Sequence, residues 1–109
     1  MVPATEYLFT YGTLRDQIVQ QELFSRALEG SKDSLPQHKV VEKSVGGLYP
    51  TIIHTGKAED TVEGELYVIS GSELRKTDLY EGKAYIREKL SLVSGIEAWV
   101  YRSRLSGSN

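Results

Sequence analysis

Leu8-Phe9-Thr10-Tyr11-Gly12-Thr13-Leu14-Arg15 runs a short apolar segment straight into a glycine turn, with a helical pattern beginning just beyond. Residues 6–11 read as a first strand, buried or half-buried. From Arg15 to Leu28 apolar side chains return at helical spacing. Val19, Leu23 and Ala27 stand four residues apart, with Ile18, Phe24 and Leu28 beside them. The pattern predicts a longer helix ended by Gly30. A strand-to-helix junction leaves backbone N–H groups without partners, and such groups favour carboxylates or oxyanions. Gly12 has no Cβ and reads as a point of tight turning and close ligand approach. Tyr11 and Thr13 offer hydroxyls, and Leu14 offers an anchor in the core. The competing reading is a plain strand–helix turn. A P-loop is excluded, because Gly-x4-Gly-Lys-Ser/Thr is absent, and so is a dinucleotide fingerprint, because no second and third glycine follow.

Working outward, residues 39–45, 48–53 and 61–69 read as shorter extended pieces, with Pro50 placing the middle one at an edge or strand end. Ser70 and Glu73 stand at capping-box spacing and predict a short helix running to about Tyr80 and stopping near Gly82. Residues 85–93 and 96–102 form a plausible hairpin around Ser94-Gly95. Residues 105–109 read as a loose tail. The order is β-α, several strands, a short helix and a hairpin. It predicts one compact α+β domain over residues 1–104, mostly antiparallel and curled towards a barrel. With only one crossover helix in the pattern, a doubly wound α/β fold does not fit.

The 109 residues suit a single hydrophobic core. A net charge of −2 and no Lys/Arg cluster argue against a nucleic-acid partner. No apolar run approaches the roughly 20 residues of a membrane span. The first residues have neither the basic start nor the apolar stretch of a secretory signal, so a cytoplasmic location is expected. Without cysteine there is no disulfide framework, no thiolate nucleophile and no thiol-ligated metal.

Asp78-Leu79-Tyr80-Glu81-Gly82-Lys83-Ala84-Tyr85-Ile86-Arg87 supplies the second informative stretch. Glu81 falls where a short helix ends, and the helix dipole favours cations there. A carboxylate held against that preference among tyrosines would have a raised pKa and could act as a base near neutral pH. The competing reading is a solvated helix-end glutamate. Asp78 and Arg87 read as a structural pair. His38 and His54 lie apart in sequence without cysteine, which does not make a zinc site. Glu63 and Glu65 share a strand face and read as solvated. Trp99 and Tyr101 share a face of the last strand and read as packing.

Taken together, Tyr11-Gly12-Thr13-Leu14-Arg15, Asp78-x-Tyr80-Glu81-Gly82 and Tyr85-x-Arg87 resemble the gamma-glutamylcyclotransferase superfamily. Gly47-Leu48-Tyr49-Pro50 and Val62-x-Gly64-Glu65-Leu66-Tyr67 extend the resemblance over most of the chain. It implies an α+β fold with a barrel-like sheet around a cavity. It also implies that the loop of Tyr11, Gly12, Thr13 and Leu14 binds substrate through backbone amides and that Glu81 is the general acid/base, with Tyr85 or Tyr49 lining the pocket. The implied reaction releases 5-oxoproline and a free amine from a gamma-glutamyl amine or small gamma-glutamyl peptide. The Tyr-Gly-Thr-Leu-Arg form leans towards the gamma-glutamylamine branch. The implied partner is that small molecule, with no metal and no organic cofactor. Thr77 departs from the family's usual apolar residue, and Lys83-Ala84 leave only a short loop over the site. The alternative is a non-catalytic domain binding a small anionic metabolite in the same cavity; the oligomeric state is left open.

Overall fold

Strand β1 (Thr5–Thr10) carries Leu8 and Phe9 side by side, and both are buried. Successive side chains leave a strand on opposite faces, so the two residues enter different cores. That double burial explains why the opening segment is continuously apolar and not alternating. The computed structural model describes residues 5–45 and 49–104, with residues 43–45 described by their backbone. A 3-10 turn (Thr13–Arg15) and helix α1 (Gln17–Phe24) follow β1. Then come β2 (Gly30–Pro36), β3 (His38–Val45), β4 (Tyr49–His54) and β5 (Thr61–Ser70). Helix α2 (Gly71–Glu81) and strands β6 (Tyr85–Ser91) and β7 (Glu97–Ser103) complete the order.

The main sheet has the order β2-β5-β1-β7-β6. Its β1–β7 contact is parallel, and the other three neighbouring pairs are antiparallel. Strands β3 and β4 form a separate antiparallel pair. Leu8, Tyr67, Ile69 and Tyr101 pack with Leu14, Phe24, Leu28 and Leu74 on the helix side. Phe9, Val62, Leu66 and Val100 pack with Ile52 on the other side, where the β3–β4 hairpin lies and Val40 joins them. The α+β class and the mostly antiparallel sheet agree with the sequence reading.

Four local expectations change. The helix expected over residues 15–28 is interrupted at Asp16, whose backbone is extended and whose carboxylate accepts the Ile18 N–H at 2.8 Å. This cap restarts the helix after the 3-10 turn, because a short acidic side chain satisfies a first-turn N–H better there than mid-helix. Helix α1 then ends at Ser25, in the left-handed region, so the eight-residue α1 is shorter than the eleven-residue α2. Gly30 starts β2 instead of ending a helix. Strand β2 has no signal of its own in the sequence, because Gly30-Ser31-Lys32-Asp33-Ser34-Leu35-Pro36 has little strand propensity. Pairing with β5 from Gly30–Tyr67 to Pro36–Thr61 makes it a strand, a tertiary decision.

Other features follow the sequence. The Ser70–Glu73 capping box forms in both directions, and Pro50 lies in the two-stranded sheet. The final hairpin pairs Tyr85 with Ser103 through Ser91 with Glu97, and Leu92 N–H then bonds Ile96 O at 2.9 Å. The tail at 105–109 and Gly47-Leu48 lie outside the described residues. Among the described residues no helix is long and apolar enough to cross a membrane.

Candidate active site

The loop after β1 is held from three sides. Leu14 is buried in the helix-side core. Gln20, only 1% exposed, donates to Leu14 O at 2.8 Å while its side-chain oxygen accepts the Leu28 N–H at 2.8 Å, so one amide ties the chain before α1 to the chain after it. Arg15 folds back on the loop, donating to Gly12 O at 3.2 Å and Tyr11 O at 2.9 Å. The Thr13 and Leu14 N–H groups open the 3-10 turn and have no acceptor within it. Gly12 sits at φ −126°, outside the left-handed region, so a tight turn does not account for it. A Cβ placed there would meet nothing within 4 Å. What the missing side chain leaves open is space at the cleft wall, which is the close-approach half of the sequence argument.

That cleft has a volume of about 600 Å³. Tyr11, Gly12, Thr13, Leu14, Glu81 and Tyr85, the residues singled out in the sequence, all line it. So do Thr10, Arg15, Glu42, Tyr49, Tyr80 and Tyr101. Glu81 is the last residue of α2, half-buried, and followed by Gly82 at φ 80°, ψ −172°, a backbone region open essentially to glycine alone. Gly82 thus ends the helix abruptly with Glu81 at the cleft.

Four of the five tyrosines that line the cleft have hydroxyls already committed. Tyr11 donates to Tyr101 O at 2.7 Å, Tyr85 donates to Pro50 O at 2.7 Å, and Tyr101 donates to the Asp78 carboxylate. The hydroxyls of Thr13 and Tyr80 share a 2.8 Å bond. Burial raises the Tyr11 pKa, with Tyr85 and Glu81 adding to it, and burial with the Asp78 hydrogen bond raises that of Tyr101. These phenols stay protonated at neutral pH. Burial works against Asp78 ionising, yet hydrogen bonds from Arg87, at 2.8 and 3.2 Å, and from Tyr101 hold its carboxyl below the usual range. The Asp78–Arg87 pair is the structural one expected.

Glu81 differs from both groups. Its carboxylate takes part in no hydrogen bond or ion pair among the described residues, and desolvation by burial pushes its pKa from 4.5 to about 7. The raised value agrees with the sequence reading but its cause is burial, where that reading had looked to the helix dipole and the neighbouring tyrosines.

A family model described as gamma-glutamyl cyclotransferase, AIG2-like, matches residues 8–108. The chain belongs to that family. Two solution structures from Arabidopsis thaliana share its fold, with TM-scores of 0.80 and 0.81 at 22% and 23% identity, over 94% and 95% of this chain. They are matched over 64% and 72% of their own length, so this chain spans less than two thirds of the first. A structure named gamma-glutamyl cyclotransferase aligns with a TM-score of 0.72 at 17% identity, over 92% of this chain and 67% of that one. At such identities the likeness shows the fold alone. No curated protein matches significantly.

Within this cyclotransferase-family chain, Thr77 is fully buried, and its hydroxyl donates to Glu73 O at 2.9 Å, so the polar residue on the inner face of α2 is satisfied. Sequence reasoning missed Glu42, Tyr80 and Tyr101 as cleft residues. Tyr80 adjoins Glu81, and Tyr101 alternates on β7 with core residues, so both carried a signal. Glu42 carried none, because only the folding of the β3–β4 hairpin brings it to the cleft. The same hairpin sets His38 opposite His54, ring centroids 5.0 Å apart, where the sequence had suggested separated histidines. Among the described residues no group of three or more metal-ligating side chains assembles.

Proposed function

We propose that this protein is a gamma-glutamyl cyclotransferase that converts a gamma-glutamyl amine or small gamma-glutamyl peptide into 5-oxoproline and a free amine, with Glu81 as general acid/base. The observation that carries this reading is a half-buried carboxylate with no hydrogen-bond or ion-pair partner among the described residues and a pKa of about 7, lining the same cleft as the Gly12 loop.

The substrate contains its own nucleophile, the alpha-amino group, whose attack on the gamma-carbonyl closes a five-membered ring. Catalysis then consists of holding a folded conformer and moving protons. At neutral pH the amino group is an ammonium. Glu81 takes one proton from it, and the free nitrogen closes on the gamma-carbonyl. The resulting oxyanion needs donors, which the N–H groups opening the 3-10 turn and Arg15 could supply, either to it or to the substrate carboxylate. As the C–N bond to the leaving amine breaks, protonated Glu81 returns its proton to that nitrogen. The second ammonium proton is lost from the ring nitrogen, and the released amine takes one up in water. A base with a pKa near the working pH suits both halves of this relay. We place the protein in the gamma-glutamylamine branch on its Tyr11-Gly12-Thr13-Leu14-Arg15 loop.

Mass-spectrometric detection of 5-oxoproline from gamma-glutamyl-epsilon-lysine, gamma-glutamyl-alanine and glutathione tests the reading. Product is expected with wild type and not with Glu81→Gln. Folded wild-type protein yielding no product from any of them would favour the metabolite-binding alternative.

A further inference from the structure

Ring closure at the gamma-carbonyl engages only one side of the cleft, Glu81 and the loop at residues 12–14. The other side is built by the β3–β4 hairpin, which brings Glu42, Tyr49 and Pro50 to the wall. Glu42 is exposed and follows Val41, the residue paired with Thr51 before the ladder shifts register. Tyr49 keeps 54% of its surface exposed although it lines the cleft. The hydrogen bond from Tyr85 to Pro50 O ties this rim to the start of β6. Tyr85 also interacts electrostatically with both Glu81 and Tyr49, so it neighbours base and rim alike. An amine departing from Glu81 along this cleft would meet Tyr85 and the rim that carries Tyr49 and Glu42.

The charges divide the cleft in the same way. Its one described cationic lining residue, Arg15, belongs to the Gly12 loop and is folded onto the loop carbonyls. The hairpin side offers a carboxylate and tyrosine rings, a combination that attracts organic cations and repels carboxylates. We infer that the cleft selects gamma-glutamyl amides whose departing amine carries a second, cationic group at its far end, received by Glu42 and the rings of Tyr49 and Tyr85. The inference rests on the cyclotransferase reading and names its substrate class.

Three substrates of matched length test it: gamma-glutamyl-cadaverine with a terminal ammonium, gamma-glutamyl-hexylamine with a methyl in its place, and gamma-glutamyl-6-aminohexanoate with a carboxylate. With wild type, kcat/KM for 5-oxoproline release should favour the cationic over the neutral substrate by roughly tenfold, with the anionic one slowest. The ratio should shrink as salt is added, since an exposed carboxylate is screened. Glu42→Gln should bring the cationic-to-neutral ratio below about twofold, and Tyr49→Leu should narrow it. Equal rates across the three, or a cationic preference that survives Glu42→Gln, overturns the specificity while leaving the reaction in place. No 5-oxoproline from any of the three sinks the reaction assignment and the specificity with it.

Discussion

Glu81 and Gly12 are the residues on which the proposed site turns, and each makes a prediction in which function and stability separate. The folded state holds the Glu81 proton more tightly than an unfolded chain does, with a pKa of about 7 against 4.5. Its contribution to stability is therefore present below pH 4.5 and lost as pH rises towards 7, a change of up to roughly 3 kcal/mol. Glu81→Gln should abolish turnover yet melt higher than wild type at pH 8, with little difference at pH 4; thermal unfolding at the two pH values measures this. For wild type, kcat/KM should rise with pH and reach half its plateau near pH 7, where the base ionises. Gly12→Ala should fold with stability within about 0.5 kcal/mol of wild type, because its Cβ meets nothing within 4 Å. Its KM should rise several-fold, because that Cβ occupies space at the cleft wall. An unchanged KM would remove Gly12 from substrate contact.

At the scale of elements, the loop's shape depends on a side chain outside it. Gln20 satisfies Leu14 O and Leu28 N–H at once. Gln20→Leu would leave two buried backbone groups unpaired at a cost of about 2–3 kcal/mol, and it should also raise KM by loosening residues 13–15. Chemical denaturation and steady-state kinetics together check this pair of effects. Helix α2 is set at its start by the Ser70–Glu73 box and near its end by Asp78, which joins β6 through Arg87 and β7 through Tyr101. The box was legible because Ser and Glu three residues apart satisfy first-turn N–H groups by local geometry alone. The break at Asp16 was not, because periodicity registers apolar spacing, and Ile18, Val19 and Leu23 keep that spacing after the cap whatever precedes them.

For the whole molecule, the loop's position depends on how closely β1 lies on β5. A Cβ at Gly64 would collide with Thr10 O and stand 2.7 Å from the Phe9 ring, immediately before the loop. Gly64→Ala should push the two strands apart, destabilise the protein by about 2 kcal/mol or more, and lower kcat by shifting Thr10 and Tyr11 away from Glu81. A stable, fully active variant would show that the site tolerates strand separation. Parallel pairing of β1 with β7 and antiparallel pairing with β5 put β1 at the centre of the sheet, so the loop, α2 and the β3–β4 hairpin meet at one cleft.

By itself the sequence determined the elements whose causes are local or periodic: the apolar opening strand, the capped α2 stopping near Gly82, the final hairpin, and the α+β class that their order implies. Its motifs also named the loop and the glutamate. Only the tertiary structure decided that β2 is a strand, that the first helix breaks at Asp16, that His38 faces His54, and that Glu42 reaches the cleft. It also decided the state of Glu81, since a raised carboxylate pKa is a property of what surrounds the group. Those outcomes depend on residues distant in the chain removing water or supplying partners, and no local pattern records which distant residue will arrive.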